Sequence, residues 1–173
     1  MNLEERIQQV VDLIPSKHRD LLKVPATQDQ FDRLEQQVST ELDRSTTIHQ
    51  SVRQLYLIFG GEKIVDLGET SKYSRHQRLL GSYRMYTPDQ ARVQYDYLAR
   101  EANSIGERGS QWFLKTCVPL GEGLGDYDTL CCSIDSGAVL VQNSLGMCKR
   151  ADSLNEYFAR VFLEIQSKQL RGY

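Results

Sequence analysis

The sequence predicts an α+β fold: helices first, then a meander of short antiparallel strands, then a closing helix. Three observations carry this. Apolar residues recur at helical spacing as far as about Ala102. After Ser110 the pattern shortens into apolar runs of a few residues, parted by turn-forming Gly, Asn and Ser. The connections between those runs are too short for the crossovers that parallel strands need. Helices and antiparallel strands segregated along a chain belong to the α+β layer class.

The elements follow in order. Leu3, Ile7, Val10, Val11 and Ile14 mark one face of a first helix, which Pro15 stops. Thr27-Gln28-Asp29-Gln30 reads as a capping box, because Gln30 can reach back to the Thr27 amide. Phe31, Leu34, Val38 and Leu42 then give a second helix its apolar face, and Asp43–Thr47 is a polar break. A third helix is predicted over Ile48–Phe59, with Gly60-Gly61 as its left-handed stop. Lys63–Gln77 is a long polar stretch, and Leu79–Tyr86 has strand-like content. Thr87-Pro88-Asp89-Gln90 is the clearest helix start, with a cap, a proline at the first position and the box glutamine. Ala91, Tyr95, Leu98 and Ala102 line that helix, and Asn103–Ser110 reads as a loop.

A strand is expected over Trp112–Pro119. Gly121-Glu122-Gly123-Leu124-Gly125-Asp126 follows as a glycine-rich turn, since glycine takes backbone conformations other residues avoid. Leu130–Asp135, Ala138–Gln142 and Met147–Arg150 read as three further strands. Ser153-Leu154-Asn155-Glu156 is another capping box. Leu154, Tyr157, Phe158, Val161 and Ile165 form the inner face of the last helix.

A chain of 173 residues suits one domain, 1–173, at roughly 100–200 residues per domain. Residues 1–26 are expected as an N-terminal helical extension and 27–170 as the core. With 40% hydrophobic and 25% charged residues, the chain can build that core. The net charge of -2 argues against a nucleic-acid binder, which usually shows a basic face. Lys72, Arg75, Arg78 and Arg84 do interleave with Tyr73, Tyr83 and Tyr86, as in some single-strand binders. A solvated loop accounts for them more simply. No apolar run approaches the roughly 20 residues of a membrane span. The acidic start, Met1-Asn2-Leu3-Glu4-Glu5, is unlike a signal peptide. The expected location is therefore cytoplasmic. Cys117, Cys131, Cys132 and Cys148 then read as reduced thiols and not as a disulfide framework.

Four pieces together resemble the SUKH superfamily. They are Leu55-Tyr56-Leu57-Ile58-Phe59-Gly60-Gly61-Glu62; Trp112 followed by Val118-Pro119-Leu120-Gly121; Gly123-Leu124-Gly125-Asp126 leading into Leu130-Cys131-Cys132-Ser133-Ile134-Asp135; and Gly137-Ala138-Val139-Leu140-Val141 followed by Ala151-Asp152-Ser153-Leu154-Asn155-Glu156-Tyr157-Phe158. That superfamily includes fungal cell-wall-synthesis regulators of the Smi/Knr type, the bacterial protein Syd and many toxin-immunity proteins. The resemblance implies an α+β sheet flanked by helices. It also implies a function of binding other proteins, with no shared catalytic set. An immunity protein that neutralises a bacterial toxin domain is the first expectation, and a regulatory or scaffold protein of the Smi/Knr type the second.

The residues themselves favour binding over chemistry. The Gly121–Asp128 segment lacks the lysine and following helix of a phosphate loop. Its Glu122, Asp126 and Asp128, with Tyr127, would give a loop a negative field able to steer a basic partner. Trp112 joins them as a candidate contact, because tryptophan is enriched at binding hot spots. Cys131 and Cys132 are adjacent, so in a strand they point to opposite faces and cannot easily share a metal. His18, His49 and His76 lie on polar stretches and read as solvated. No catalytic residue, metal, cofactor or small-molecule ligand is expected.

Overall fold

The computed structural model describes residues 1–14, 22, 24–61, 83–123 and 128–170. Among them the fold is α+β, with helices packed around a five-stranded antiparallel sheet. Lys63–Gln77, with Lys72, Tyr73 and Arg75, lies outside the described residues, as do Arg78, His18, His76, Asp126 and Tyr127.

Helix α1 spans Leu3–Asp12. The Asn2 side chain accepts from the Glu5 amide at 2.8 Å, and the Glu5 carboxylate accepts from the Asn2 amide at 3.0 Å. This is a capping box with Asn in the Ser/Thr place. Ile7 and Val10 are fully buried within the same core as the sheet residues. Helix α2 spans Gln28–Leu42 and carries the predicted Thr27–Gln30 box. Its end is closed by Asp43 in the left-handed region, φ 50°.

Helix α3 spans Gln50–Ile58. Its stop differs from expectation. The cap is Phe59 in an extended conformation, ahead of both glycines. Gly61, at φ 99°, serves another purpose. A Cβ there would lie 2.6 Å from the Tyr86 carbonyl oxygen, so the glycine lets the chain pass close to the segment after β1. His49 is likewise no simple surface residue. Its Nδ1 accepts from the Ser51 amide at 3.3 Å and caps α3, and its ring packs beneath Gly137.

Strand β1 is Tyr83–Met85 and helix α4 is Pro88–Ile105, started by the predicted Thr87 box and Pro88. The loop expected at Asn103–Ser110 is helical instead. Helix α4 runs on to Ile105, a 3-10 turn covers Gly106–Arg108, and a single-turn helix α5 follows at Gly109–Trp112. Gly109 permits this: a Cβ would sit 1.7 Å from the Ala102 carbonyl oxygen. Trp112 therefore ends a helix and does not begin a strand.

Strand β2 runs Cys117–Gly123, β3 Thr129–Ser133, β4 Val139–Asn143 and β5 Gly146–Ala151. The sheet order is β1-β2-β3-β4-β5, every neighbour antiparallel. Gly121–Gly123, expected as turn, is paired on both sides: Glu122 opposes Arg84 on β1 and Thr129 on β3. Here glycine is needed for closeness, since a Cβ on Gly121 would meet the Arg84 carbonyl oxygen at 2.5 Å. The register shifts between Pro119 and Gly121, and a bulge is where a strand accommodates proline.

Helix α6 spans Leu154–Leu170 and buries Leu154, Tyr157, Phe158 and Val161, with Ile165 partly buried. Helix α1 packs on α3 and α6, α2 on α4, and α4 on β2. Leu130, Cys131 and Cys132 are all fully buried, so β3 is covered on both faces.

Candidate functional site

The register places Arg84, Glu122, Thr129, Gln142 and Met147 in one row across all five strands. Residues in register project from the same face of a sheet. Three of them, Glu122, Thr129 and Gln142, floor a cleft of about 300 Å³. Helix α4 supplies one wall through Gln94, Tyr97 and Leu98, and α5 supplies Trp112. Tyr86 closes one end, and Asp128 stands at the start of β3.

The electrostatics are asymmetric. Glu122 forms an ion pair with Arg84. Its Oε2 also accepts a hydrogen bond from the Tyr86 hydroxyl at 3.4 Å. Burial, then the nearby Glu122 carboxylate, raises the Tyr86 phenol above its ordinary value. Tyr83, on the next-but-two residue before it, is raised mainly by burial, with Arg150 opposing. Asp128 fixes its backbone to β2, because its carbonyl accepts from the Gly123 amide at 2.6 Å. Its side chain lies on the opposite face of the sheet from Glu122, beside Gly123 and Tyr83.

Two polar side chains are buried in the floor. Thr129 is 4% exposed and Gln142 2%. The Gln142 Nε2 donates to the Asn143 carbonyl at 3.0 Å, its only side-chain hydrogen bond among the described residues. Buried polar groups usually have all the partners they can use. Gln142 and Thr129 therefore make the floor of the cleft polar.

Of the five expected contact residues, Glu122, Asp128 and Trp112 line this one cleft, Asp128 at its edge with its side chain on the opposite face beside Tyr83, while Asp126 and Tyr127 lie outside the described residues. Glu122 arrives there on a strand and already paired, so it contributes less free negative charge than a loop residue would. Sequence reasoning missed Gln142, Thr129 and Tyr97. The signal for Gln142 was present: it ends the otherwise apolar run Val139-Leu140-Val141 on an inward position. Tyr97 is 54% exposed and lies off the buried face of α4, so helical periodicity gave it no role.

The thiols stand apart from this site. Cys117, Cys131 and Cys132 are buried, and Cys148 is exposed on β5. Burial pushes the Cys117 and Cys132 thiols up to about 12 and raises Cys131 as well. A thiol that stays protonated is a poor nucleophile and a poor metal ligand. Among the described residues no three His, Cys, Asp or Glu are grouped to hold a metal ion. No described helix is long and apolar enough to cross a membrane.

No protein-family model and no curated protein matches this chain.

Proposed function

We propose that this chain is a non-catalytic protein-binding module of SUKH type, an immunity protein that occupies and neutralises a bacterial toxin domain. The cleft between α4 and the sheet is its contact surface. The observation that carries this reading is the meeting of Trp112 and Glu122 in one cleft beside the exposed ring of Tyr97, with Asp128 at its edge. Carboxylates, aromatic rings and a buried amide are groups of recognition. The helix–meander–helix order supports the SUKH resemblance, because it is the arrangement that the resemblance implies. The four unpaired cysteines support placing the protein in a reducing compartment such as the cytoplasm.

The test is co-expression with the product of the neighbouring reading frame. A toxin encoded there should lose its lethality and elute with this chain as a one-to-one complex. Continued lethality together with separate elution would sink the proposal.

A further inference from the structure

We infer that the cleft is a binding site for a neutral sugar ring. The inference goes beyond the partner reading and does not rest on it, since it gives the cleft a small-molecule ligand.

Charge decides against an ionic occupant. The Glu122 carboxylate is matched by the Arg84 guanidinium and also accepts from the Tyr86 hydroxyl. The Asp128 side chain lies on the other face of the sheet. Among the described residues no lysine or arginine lines the cleft. An ion entering it would lose hydration and gain no free counter-charge.

The other polar groups of the lining are neutral. The side chains of Gln94, Tyr97 and Thr129 have no hydrogen-bond partner among the described residues. They are an amide and two hydroxyls, groups that both donate and accept. The hydroxyls of a sugar also do both, and they point outward all round the ring. One sugar can therefore meet the floor at Thr129 and the wall at Gln94 together. A wholly apolar ligand would leave these groups desolvated and unmet. The walls add Trp112, Tyr97 and Leu98. A pyranose carries a C–H face beside its hydroxyls, and an aromatic ring offers that face a large apolar surface. Gln94, Tyr97 and Leu98 stand three and four residues apart on α4, so amide and ring act from one helix face. A volume of about 300 Å³ is at the small end of ligand cavities and suits one ring.

Trp112 is the single tryptophan of the chain, so its fluorescence reports this cleft directly. The full chain is titrated with the methyl glycosides of glucose, galactose, mannose and N-acetylglucosamine. Glycerol serves as the control for solvent effects. The expected result is a saturable change with at least one glycoside, half-complete on the order of 1 mM, and a linear drift with glycerol. Tyr97→Ala, at an exposed position that folding can spare, should weaken that response about tenfold. Gln94→Ala should weaken it several-fold. Linear responses to all four glycosides, no steeper than that to glycerol, overturn the inference. A saturable response that neither variant weakens overturns it too, because the sugar then sits elsewhere. A complex with the neighbouring gene product alongside only linear glycoside responses removes the sugar site and leaves the partner reading standing. Saturable glycoside binding with no complex does the reverse.

Discussion

Glu122 and Arg84 oppose one another across the β1–β2 ladder and form an ion pair at the edge of the cleft floor. Their side chains are 42% and 26% exposed, so water screens the pair. A pair of that kind contributes about 0–1 kcal/mol. Arg84→Met should therefore shift the urea midpoint by no more than that range implies. A larger shift would show that the pair is shielded from water.

Gly121→Ala tests why glycine stands in β2. The added Cβ would meet the Arg84 carbonyl oxygen, which is backbone and cannot swing aside. Overpacking of this kind costs about 1–3 kcal/mol. Urea unfolding should show that loss with an unchanged slope. A neutral result would mean that β1 is not seated against Gly121.

Helix α1 should be indispensable. Ile7 is fully buried, and Ile→Ala in a packed core costs about 2–5 kcal/mol. Thermal unfolding of Ile7→Ala should show one cooperative transition at a clearly lower temperature. An unshifted transition would mean that residues 1–14 are an appendage.

The buried thiols give a pH dependence with a definite sign. Burial raises Cys117 and Cys132 from an ordinary value of 9.0 to about 12. The folded state thus keeps protons that the unfolded state releases. That contribution is complete below about pH 9 and is lost as pH rises toward 12. The urea midpoint should hold level through neutral pH and fall above pH 9, with a shallower fall in Cys132→Ala. The tyrosines raised by burial, Tyr56, Tyr86 and Tyr95, act in the same sense at higher pH. In the native protein an aromatic disulfide reagent should modify Cys148 at once and the other three thiols only on unfolding.

Much of this architecture was legible in the sequence, and the illegible parts share one physical cause. The Thr27 and Thr87 boxes and the Ser153 cap marked their helix starts because capping is a local interaction among four residues, although Glu156 accepts from the Asp152 amide and not from that of Ser153. The strands at Leu130, Val139 and Met147 announced themselves through short apolar runs and tight turns. Gly61, Gly109 and Gly121 misled, because glycine serves two needs that look alike in sequence. One is a special backbone angle and the other is close approach of a distant segment. At Gly109 and Gly121 the need is closeness to Ala102 and Arg84, which only the tertiary structure reveals. The cleft was half legible for the same reason. Its acids and its tryptophan stood out by type, whereas Gln142 and Tyr97 join them only through the sheet register and the placement of α4.

The central claim is that a protein partner sits in the cleft between α4 and the sheet. Amide hydrogen exchange on the complex with the neighbouring gene product tests it most directly. The account predicts added protection at Glu122–Gly123, at Asp128–Thr129 and along α4 from Gln94 to Leu98, with little change in α1 and α6. Protection confined to α1, α6 or the α2 surface, with the cleft segments exchanging as in the free protein, would contradict it.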